Sequence, residues 1–552
     1  MSRSFDPIAL GILWDRLISI TDEIVETLVR TSFSTNVRES YDLSCVVFDA
    51  RGRALAQGSY SVPSFTGTAP LTIRHMLDRF PADTLEPGDV IATNDPWLGT
   101  GHLFDVNVMR PIFRAGRLVG FTMSITHLPD IGGAGFSAMA TQVYEEGLRL
   151  PVCKLVRAGR MNEELLEIVR TNVRVPEQTL GDLMANVSCN EVGARMTLEM
   201  MDEYGLDELT PLGDDILRFS EDAMRAEVRK IPPGVYRNVI QVEGHEEPVT
   251  LACTVTVQDA EVRIDFAGSS PAVPKAINVP YCYTRAFAAY AIKCLTTPKI
   301  PNNEGSLRPI VVTAPPGCLL NAVPPSPTGG RHIIGHFVNP LIFGALADAL
   351  PHRVQGDSGM MNLISVQGTH RDGRGVSSIY FASGGFGALD GMDGAATLPS
   401  PSNMTGTPVE IWENLTSTHI EKKVLLPDSG GPGTYRGGLG QEIVLRNDTG
   451  HPLTVSCLAG RTEFPPLGRH GGRPGRLREV LINDTPVSAK GRYVLQPGDR
   501  LVMREAGGGG FGAAPRSPDK VRQDVSMGFV SREGAARDYG VAVALDPRSS
   551  PG

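Results

Sequence analysis

No two of the eight cysteines (Cys45, Cys153, Cys189, Cys253, Cys282, Cys294, Cys318 and Cys457) form a Cys-x-x-Cys pair. Their scatter argues against a thiolate zinc site or a disulfide frame and fits reduced, mostly buried thiols in a cytosolic enzyme. No apolar run approaches the length needed to span a membrane. The opening stretch MSRSFDPIALGILWDRL has neither the hydrophobic core nor the small-residue cleavage site of a secretory leader, so the expected location is the cytoplasm. There is no Gly-x-x-x-x-Gly-Lys-Ser/Thr loop, and so no obvious nucleotide site. A net charge of −9 is modest for 552 residues, and no basic stripe stands out, which argues against a general nucleic-acid binder. There is no internal repeat, and the only low-complexity stretch is the glycine run at 507–510.

Hydrophobic residues at 41% and charged residues at 20% describe an ordinary soluble globular protein, and the length suggests two to four domains. The 61 glycines and 42 prolines favour turns and short strands over long helices. Pro7 opens an expected helix to about Thr31, with Ile8, Ile12, Leu17, Ile20, Ile24 and Leu28 near helical spacing. YDLSCVVFDARGRALAQG reads as a hairpin, about Ala69 to Phe80 as a helix, and DVNVMRPIFRAGRLVGFTMSITHLPDIGG as a second hairpin turning at Ala115-Gly116. Residues 160–230 are mainly helical in pattern, 233–272 β-rich, YTRAFAAYAIKCL helical, 401–505 turn-rich and strand-like, and SPDKVRQDVSMG a short tail helix. The expected class is α+β and multidomain, with several mostly antiparallel sheets and flanking helices. The expected divisions are 1–232, an N-terminal domain carrying the metal site, 233–275, a β-rich segment, 276–400, an α+β middle domain, and 401–552, a β-rich C-terminal domain.

NDPWLGTGHLFDVNV, from Asn94 to Val108, crowds two aspartates, a histidine and two glycines into fifteen residues between expected strands. With Ala115 and Gly116 as a two-residue loop, the simplest register pairs Phe104 with His127 and Asp105 with Thr126. Opposed residues have Cβ atoms roughly 4.5–5.5 Å apart, so His127 falls beside Asp105, and the glycine bend at GTGH can turn His102 back towards them. A bulge would shift the register without separating the three by much. Asp42, at the mouth of the first hairpin, is a fourth candidate whose proximity spacing does not give. Two imidazoles and two carboxylates suit Zn²⁺ or Mn²⁺. Polar residues that only cap turns are the competing reading, and sequence geometry leaves both open. Asp95 reads more simply as an Asx turn before Pro96.

Other polar groups are weighed in the same way. Asn302, Asn303 and Glu304 in IPNNEG, and Arg331, His332 and His336 in GRHIIGH, could line a substrate or phosphate path. His332 and His336 stand at i and i+4 but lack the glutamate of a zinc helix, so a structural helix start is the simpler reading. GGGGFG at 507–512 satisfies a dinucleotide-type glycine spacing, but no helix follows it directly, and a packing turn is the better reading.

NDPWLGTGHLFDVNV, SITHLPDIGG, EEGLRLPVCKL, IPNNEGSLRPI, GRHIIGH, LPDSGGPGTYRGGLG and the tail from GGGGFG to ARDYGV together resemble the B (β) subunit of the hydantoinase/oxoprolinase family, in order, from about residue 10 to 545. That family includes ATP-dependent hydantoin and lactam hydrolases, 5-oxoprolinases and ketone carboxylases. The resemblance implies an A-type partner subunit that binds ATP, a hetero-oligomer, a cyclic amide substrate, and a divalent metal held by Asp42, His102, Asp105 and His127. It further implies that ATP on the partner phosphorylates the amide oxygen and that the metal site activates water to open the ring. Asp130 is the candidate general base, with a plain turn role as its alternative. Family members often have a second histidine where this chain has Leu128, a departure that bears on substrate orientation or proton transfer. A ketone carboxylase subunit is the runner-up, because it shares the ATP half and the metal site. A non-catalytic scaffold is disfavoured because all four matched ligands are present.

Overall fold

The longest runs of secondary structure start where the sequence supplies a cap or a proline. In the computed structural model, residues 5–296 and 299–544 are described. Residues 1–4, 297–298 and 545–552, including the outer ends of the expected first and last domains, lie outside the described residues. Helix α1 (Pro7–Thr31) has Pro7 in its first turn, and the Asp6 carboxylate accepts hydrogen bonds from Ile8 N and Ala9 N. Its buried stripe is Leu13, Leu17, Ile20, Ile24 and Leu28. Ile8 and Ile12, expected on that stripe, are exposed. Ile12 sits one residue, about 100° of rotation, away from Leu13.

A seven-stranded antiparallel sheet forms the centre of the N-terminal region. Its strands are β1 (Leu43–Asp49), β2 (Ala54–Gln57), β3 (Val90–Thr93), β4 (Asp105–Arg114), β5 (Arg117–His127), β6 (Cys153–Arg157) and β7 (Arg160–Met161), in the order β2-β1-β5-β4-β3-β6-β7. The intervening and following helices are α2 (Thr35–Arg38), α3 (Pro63–Arg79), α4 (Glu163–Asn172), α5 (Pro176–Glu203) and α6 (Thr210–Val228). Both faces of β1 are covered. Leu43, Cys45 and Val47 pack with α1, α5 and α6, whereas Val46 and Phe48 join the core that holds α3. The strand therefore reads as a continuous apolar run with no alternation.

Helix α3 begins six residues before the expected Ala69, with Pro63 in its first turn and Pro70 inside it. Gly67 belongs to the helix because it is the contact with α7 (Tyr281–Thr296): a Cβ there would lie 2.6 Å from Ala286 Cα.

A second sheet comprises β8 (Gly234–Val242), β9 (Val249–Gln258), β10 (Glu261–Asp265) and β11 (Ile310–Thr313), antiparallel except for the β10–β11 pair, between which the chain passes through α7. Short α8 (His332–Gly335) and α9 (Val338–Leu346) follow. The remaining strands are β12 (Met361–Thr369), β13 (Gly375–Ser383), β14 (Thr418–Leu425), β15 (Gln441–Asn447), β16 (Leu453–Leu458), β17 (Glu479–Ile482), β18 (Thr485–Pro486), β19 (Arg492–Leu495) and β20 (Arg500–Arg504). They form two antiparallel sheets, β13-β12-β16-β19 and β14-β15-β20-β17-β18, which share a core with Trp412 from α10 (Val409–Thr416). Two helices, α11 (Pro518–Ser526) and α12 (Arg532–Tyr539), close the described chain. No described helix is long and apolar enough to cross a membrane.

The glycine run at 507–510 threads between other glycine-rich segments. Gly508 N donates to Gly438 O at 2.9 Å, and Gly508 O accepts from Gly431 N at 2.8 Å. A Cβ on Gly508 would lie 2.0 Å from Phe386 O, so only glycine permits this backbone-to-backbone approach.

Candidate metal centre

The hairpin of β4 and β5 starts in the simple register. Ala115 and Gly116, with φ of 48° and 77°, make the two-residue turn, Arg114 faces Arg117, and Phe113 faces Leu118. The next pair is Ile112 with Gly120, so Val119 is an extra residue and the ladder carries a bulge. Every later pair moves by one: Asp105 faces His127, and Val106 faces Thr126. This corrects the expected pairing of Asp105 with Thr126, and the difference is chemical. Side chains alternate faces along a strand, so the unbulged register would have sent His127 to the face opposite Asp105.

Sheet order supplies what spacing left open for Asp42. Strand β5 also pairs with β1, Leu43 facing Thr126, and His127 N donates to Asp42 O at 3.2 Å. Asp42, His127 and Asp105 therefore stand side by side at the same end of β1, β5 and β4. His102 approaches from the turn before β4, where Gly101 (φ 98°) bends the chain beneath Arg331.

Backbone contacts fix both imidazoles. His102 Nδ1 lies 3.1 Å from Gly329 O, and His127 Nδ1 lies 2.9 Å from Leu128 O. Carbonyls only accept, so each ring carries its proton on Nδ1 and presents a bare Nε2. Asn36 Nδ2, 3.4 Å from His127 Nδ1, competes for that atom over a longer distance. The two Nε2 atoms and Asp105 Oδ1 are buried without a hydrogen-bond partner, and one ligand atom from each of these three residues lies within 4.8 Å of the others. His102 Nε2 is 2.9 Å from Asp105 Oδ1 but lacks hydrogen-bond geometry. Asp105 Oδ2 is committed elsewhere, to Thr100 Oγ1 at 2.8 Å and Arg331 Nη2 at 2.6 Å.

The electrostatics agree with the geometry. Burial, followed by the charge on His102, pushes His127 down to about 3, and burial with Arg331 lowers His102. Burial, the largest cause for each, favours the neutral form of both rings. Burial alone would raise Asp105, but His102 and Arg331 more than reverse it and hold the carboxyl below the usual range. Asp42 is pushed up by burial and then by the charge of Asp105. Among the described residues nothing donates to or pairs with its carboxylate, although only 6% of the residue is exposed. A buried anion without a partner is costly. Bare imidazole nitrogens, an unpartnered carboxylate oxygen and a buried carboxylate that Arg331 offsets only in part together fit a divalent cation with nitrogen and oxygen ligands.

These four residues line a cavity of about 30 Å³, enough for an ion or a water. Arg331, His332 and His336 also line it, so the GRHIIGH segment does more than start a helix. Arg331 stacks 4.2 Å over Tyr283 and donates Nε to Thr100 O at 2.9 Å. Phe104 stacks on His127, and Phe136 packs edge-on against both ligand rings. No local pattern marks Phe136 or Tyr283 for this role. Arg331, His332 and His336 do carry a signal, since three such groups in six residues are unusual for a plain helix start.

Asp130 does not line the cavity. Its buried carboxylate accepts from Gly132 N at 3.1 Å and pairs with Arg174 Nη1 at 2.7 Å. Leu128 is buried in the core. Asp95 makes the Asx turn, accepting from Trp97 N at 2.9 Å, and also pairs with Arg149. Asn303 donates to Ser220 Oγ, and Glu304 pairs with Arg74. All eight cysteines are free.

A model of the Hydantoinase B/oxoprolinase family matches residues 6–514. A putative D-/L-hydantoinase B-type chain from Pseudomonas sp. (strain NS671) is 30% identical, with 98% of this chain and 96% of that protein covered. The crystal structure of an ATP-dependent caprolactamase from Pseudomonas jessenii superposes with a TM-score of 0.91 at 26% identity, covering 99% of this chain and 98% of its own. An acetone carboxylase structure reaches 0.89 at 19% identity, over 98% of this chain and 80% of the other, a likeness of fold alone.

Proposed function

Because the chain belongs to the hydantoinase B/oxoprolinase family, we propose that it is the metal-dependent B-type subunit of an ATP-dependent cyclic amide hydrolase. Its substrate is a hydantoin, lactam or 5-oxoproline-type ring, phosphorylated with ATP on an A-type partner in a cytoplasmic hetero-oligomer. The observation that carries this reading is the convergence of His102 Nε2, His127 Nε2 and Asp105 Oδ1, all buried and unpartnered, beside the buried Asp42. These four residues would hold the metal. When bound, a Zn²⁺ or Mn²⁺ ion supplies Lewis acidity and lowers the pKa of coordinated water.

The remaining work falls to the protein's own groups. Gly329 O and Leu128 O keep the ligand imidazoles in the tautomer that leaves Nε2 free. Thr100 and Arg331 turn Asp105 so that only Oδ1 faces the cavity. Phe104 and Phe136 keep bulk water away from the rings, which strengthens every charge interaction inside. Arg331 is the one cation at the cavity, suited to the negative charge of a phosphorylated oxygen. With its carboxylate tied to Arg174, Asp130 acts as general base only if that pair opens. A ring substrate exceeds the present cavity of about 30 Å³.

The carboxylase reading shares all of this chemistry. The hydrolase leads because the B-type hydantoinase relative is matched over nearly its whole length. Co-expression with an A-type subunit tests the proposal, with ATP-dependent products followed on hydantoins, lactams and ketones. Ring opening that needs both subunits, ATP and metal is expected. Carboxylation of a ketone without ring opening would overturn the hydrolase reading, and ATP hydrolysis by the pure chain would overturn the division of labour.

A further inference from the structure

A second cavity, of about 310 Å³, shares a wall with the metal cavity. Along the start of α3, Ser61, Pro63, Thr66 and Gly67 line the larger space, while Val62, Ser64 and Phe65 line the smaller. Asn403 likewise faces the larger cavity and its neighbours Ser402 and Met404 the smaller.

Lys293 on α7 lines the larger cavity and is only 8% exposed. Its ammonium donates to Asn302 Oδ1 at 2.5 Å, a neutral acceptor. No carboxylate among the described residues pairs with it. Burial pushes the amine down to about 8, against a smaller opposing effect of Cys294, so it remains mostly protonated at neutral pH, at a desolvation cost that no carboxylate among the described residues offsets. A second feature points the same way. The N-terminus of α3, whose first turn lines this cavity, has Val62 at its cap position and no side-chain cap. Pro63 has no N–H and Phe65 N donates to Val62 O at 3.0 Å, so it is the helix dipole, and not a row of free donors, that favours negative charge there. Ala286, Ala289, Tyr290 and Leu307 give the cavity apolar walls. One ammonium, with no arginine fork and no glycine-rich loop, suits a single negative charge on an organic body better than a phosphate dianion.

We propose that this cavity binds a small organic carboxylate, held by Lys293 with Asn302 beside it and the first turn of α3 facing it. The site is separate from the metal ligands and would persist without them. Its ligand is either a carboxylate borne on a ring substrate or a free small carboxylate.

The test uses the full chain, with calorimetric titration and thermal unfolding at constant ionic strength. The probes are 5-oxoproline, 2-pyrrolidinone (the same ring without its carboxylate), acetate and inorganic phosphate. Saturable binding of 5-oxoproline is expected in the wild type and in His102→Ala, with none of 2-pyrrolidinone and about tenfold or greater weakening in Lys293→Met. Acetate binding as well identifies any small carboxylate as the ligand, and its absence assigns the site to a ring-borne one. Should Lys293→Met fail to fold, Asn302→Ala and the wild-type Lys293 side-chain NMR resonance give the same reading, since the ligand must shift that resonance. Binding unchanged in Lys293→Met, or lost in His102→Ala but kept in Lys293→Met, would overturn the site. Binding of phosphate alone, or of no carboxylate, would also overturn it.

Discussion

Replacing Asp42 by asparagine keeps the shape of the side chain and removes its charge, which separates the cost of a buried anion from its use as a ligand. Asp42 is 6% exposed, and burial and the neighbouring Asp105 both oppose its ionisation. A neutral amide of the same shape carries no ionisation to oppose, so the exchange removes a desolvation cost and adds none of comparable size. With a chelator present, the Asp42→Asn protein is therefore expected to unfold at the same temperature as the wild type or above it. With zinc or manganese at about a hundred times the wild-type Kd, mass action stabilises the wild type by about 2.7 kcal/mol. Loss of one anionic ligand weakens binding by roughly tenfold or more, which cuts that gain to about 1.4 kcal/mol or less at the same metal concentration. Unfolding midpoints of both proteins, each with chelator and with metal, supply the four values needed. A variant that loses several kcal/mol in chelator yet gains as much from metal as the wild type would show that Asp42 serves packing and not the cation.

Two further outcomes follow from buried groups outside the ligand set. Burial pushes the Glu146 carboxyl from an ordinary 4.5 up to about 8, while its Oε1 accepts from Thr328 N and Gly329 N. The folded state then holds a proton that the unfolded state releases, so this contribution to stability falls as pH rises from about 4.5 to about 8. Glu146→Gln should remove that slope, read as the difference in unfolding midpoint between the two proteins from pH 5 to 8, and parallel curves would refute it. Gly508→Ala would place a Cβ 2.0 Å from Phe386 O, with backbone on both sides and nowhere to relax. A loss of about 3 kcal/mol or more, or failure to accumulate folded protein, is expected. Gly406→Ala, where no atom lies within 4 Å of the added carbon, serves as the near-neutral control.

Local signals were legible in the sequence and long-range ones were not. Pro7 and the apolar spacing gave α1 its bounds, and Ala115-Gly116 gave the hairpin its turn, because each is decided within a few residues. The bulge at Val119 has only the general signal of Gly120 inside a strand pattern, which does not fix its place, yet it decides that Asp105 and His127 share a face. Asp42 needed β1 to lie beside β5, a pairing across about eighty residues that periodicity does not encode. Arg331 reaches Asp105 from 226 residues away. Helix α3 starts at Pro63 and not at the expected Ala69, and Gly67 lies inside it because of its close approach to Ala286 on α7. The packing turn expected of the glycines at 507–510 agrees with the structure, where the backbones of Phe386, Gly431 and Gly438 close around Gly508.

Anomalous X-ray scattering at the metal edge, from crystals of protein purified without added chelator, locates the ion directly. A peak is expected about 2.0–2.2 Å from His102 Nε2, His127 Nε2 and an oxygen each of Asp105 and Asp42. The peak should vanish in His102→Ala crystals of the same fold. A wild-type peak at another place, or one unchanged in the variant, would contradict the assignment of these residues as the metal centre.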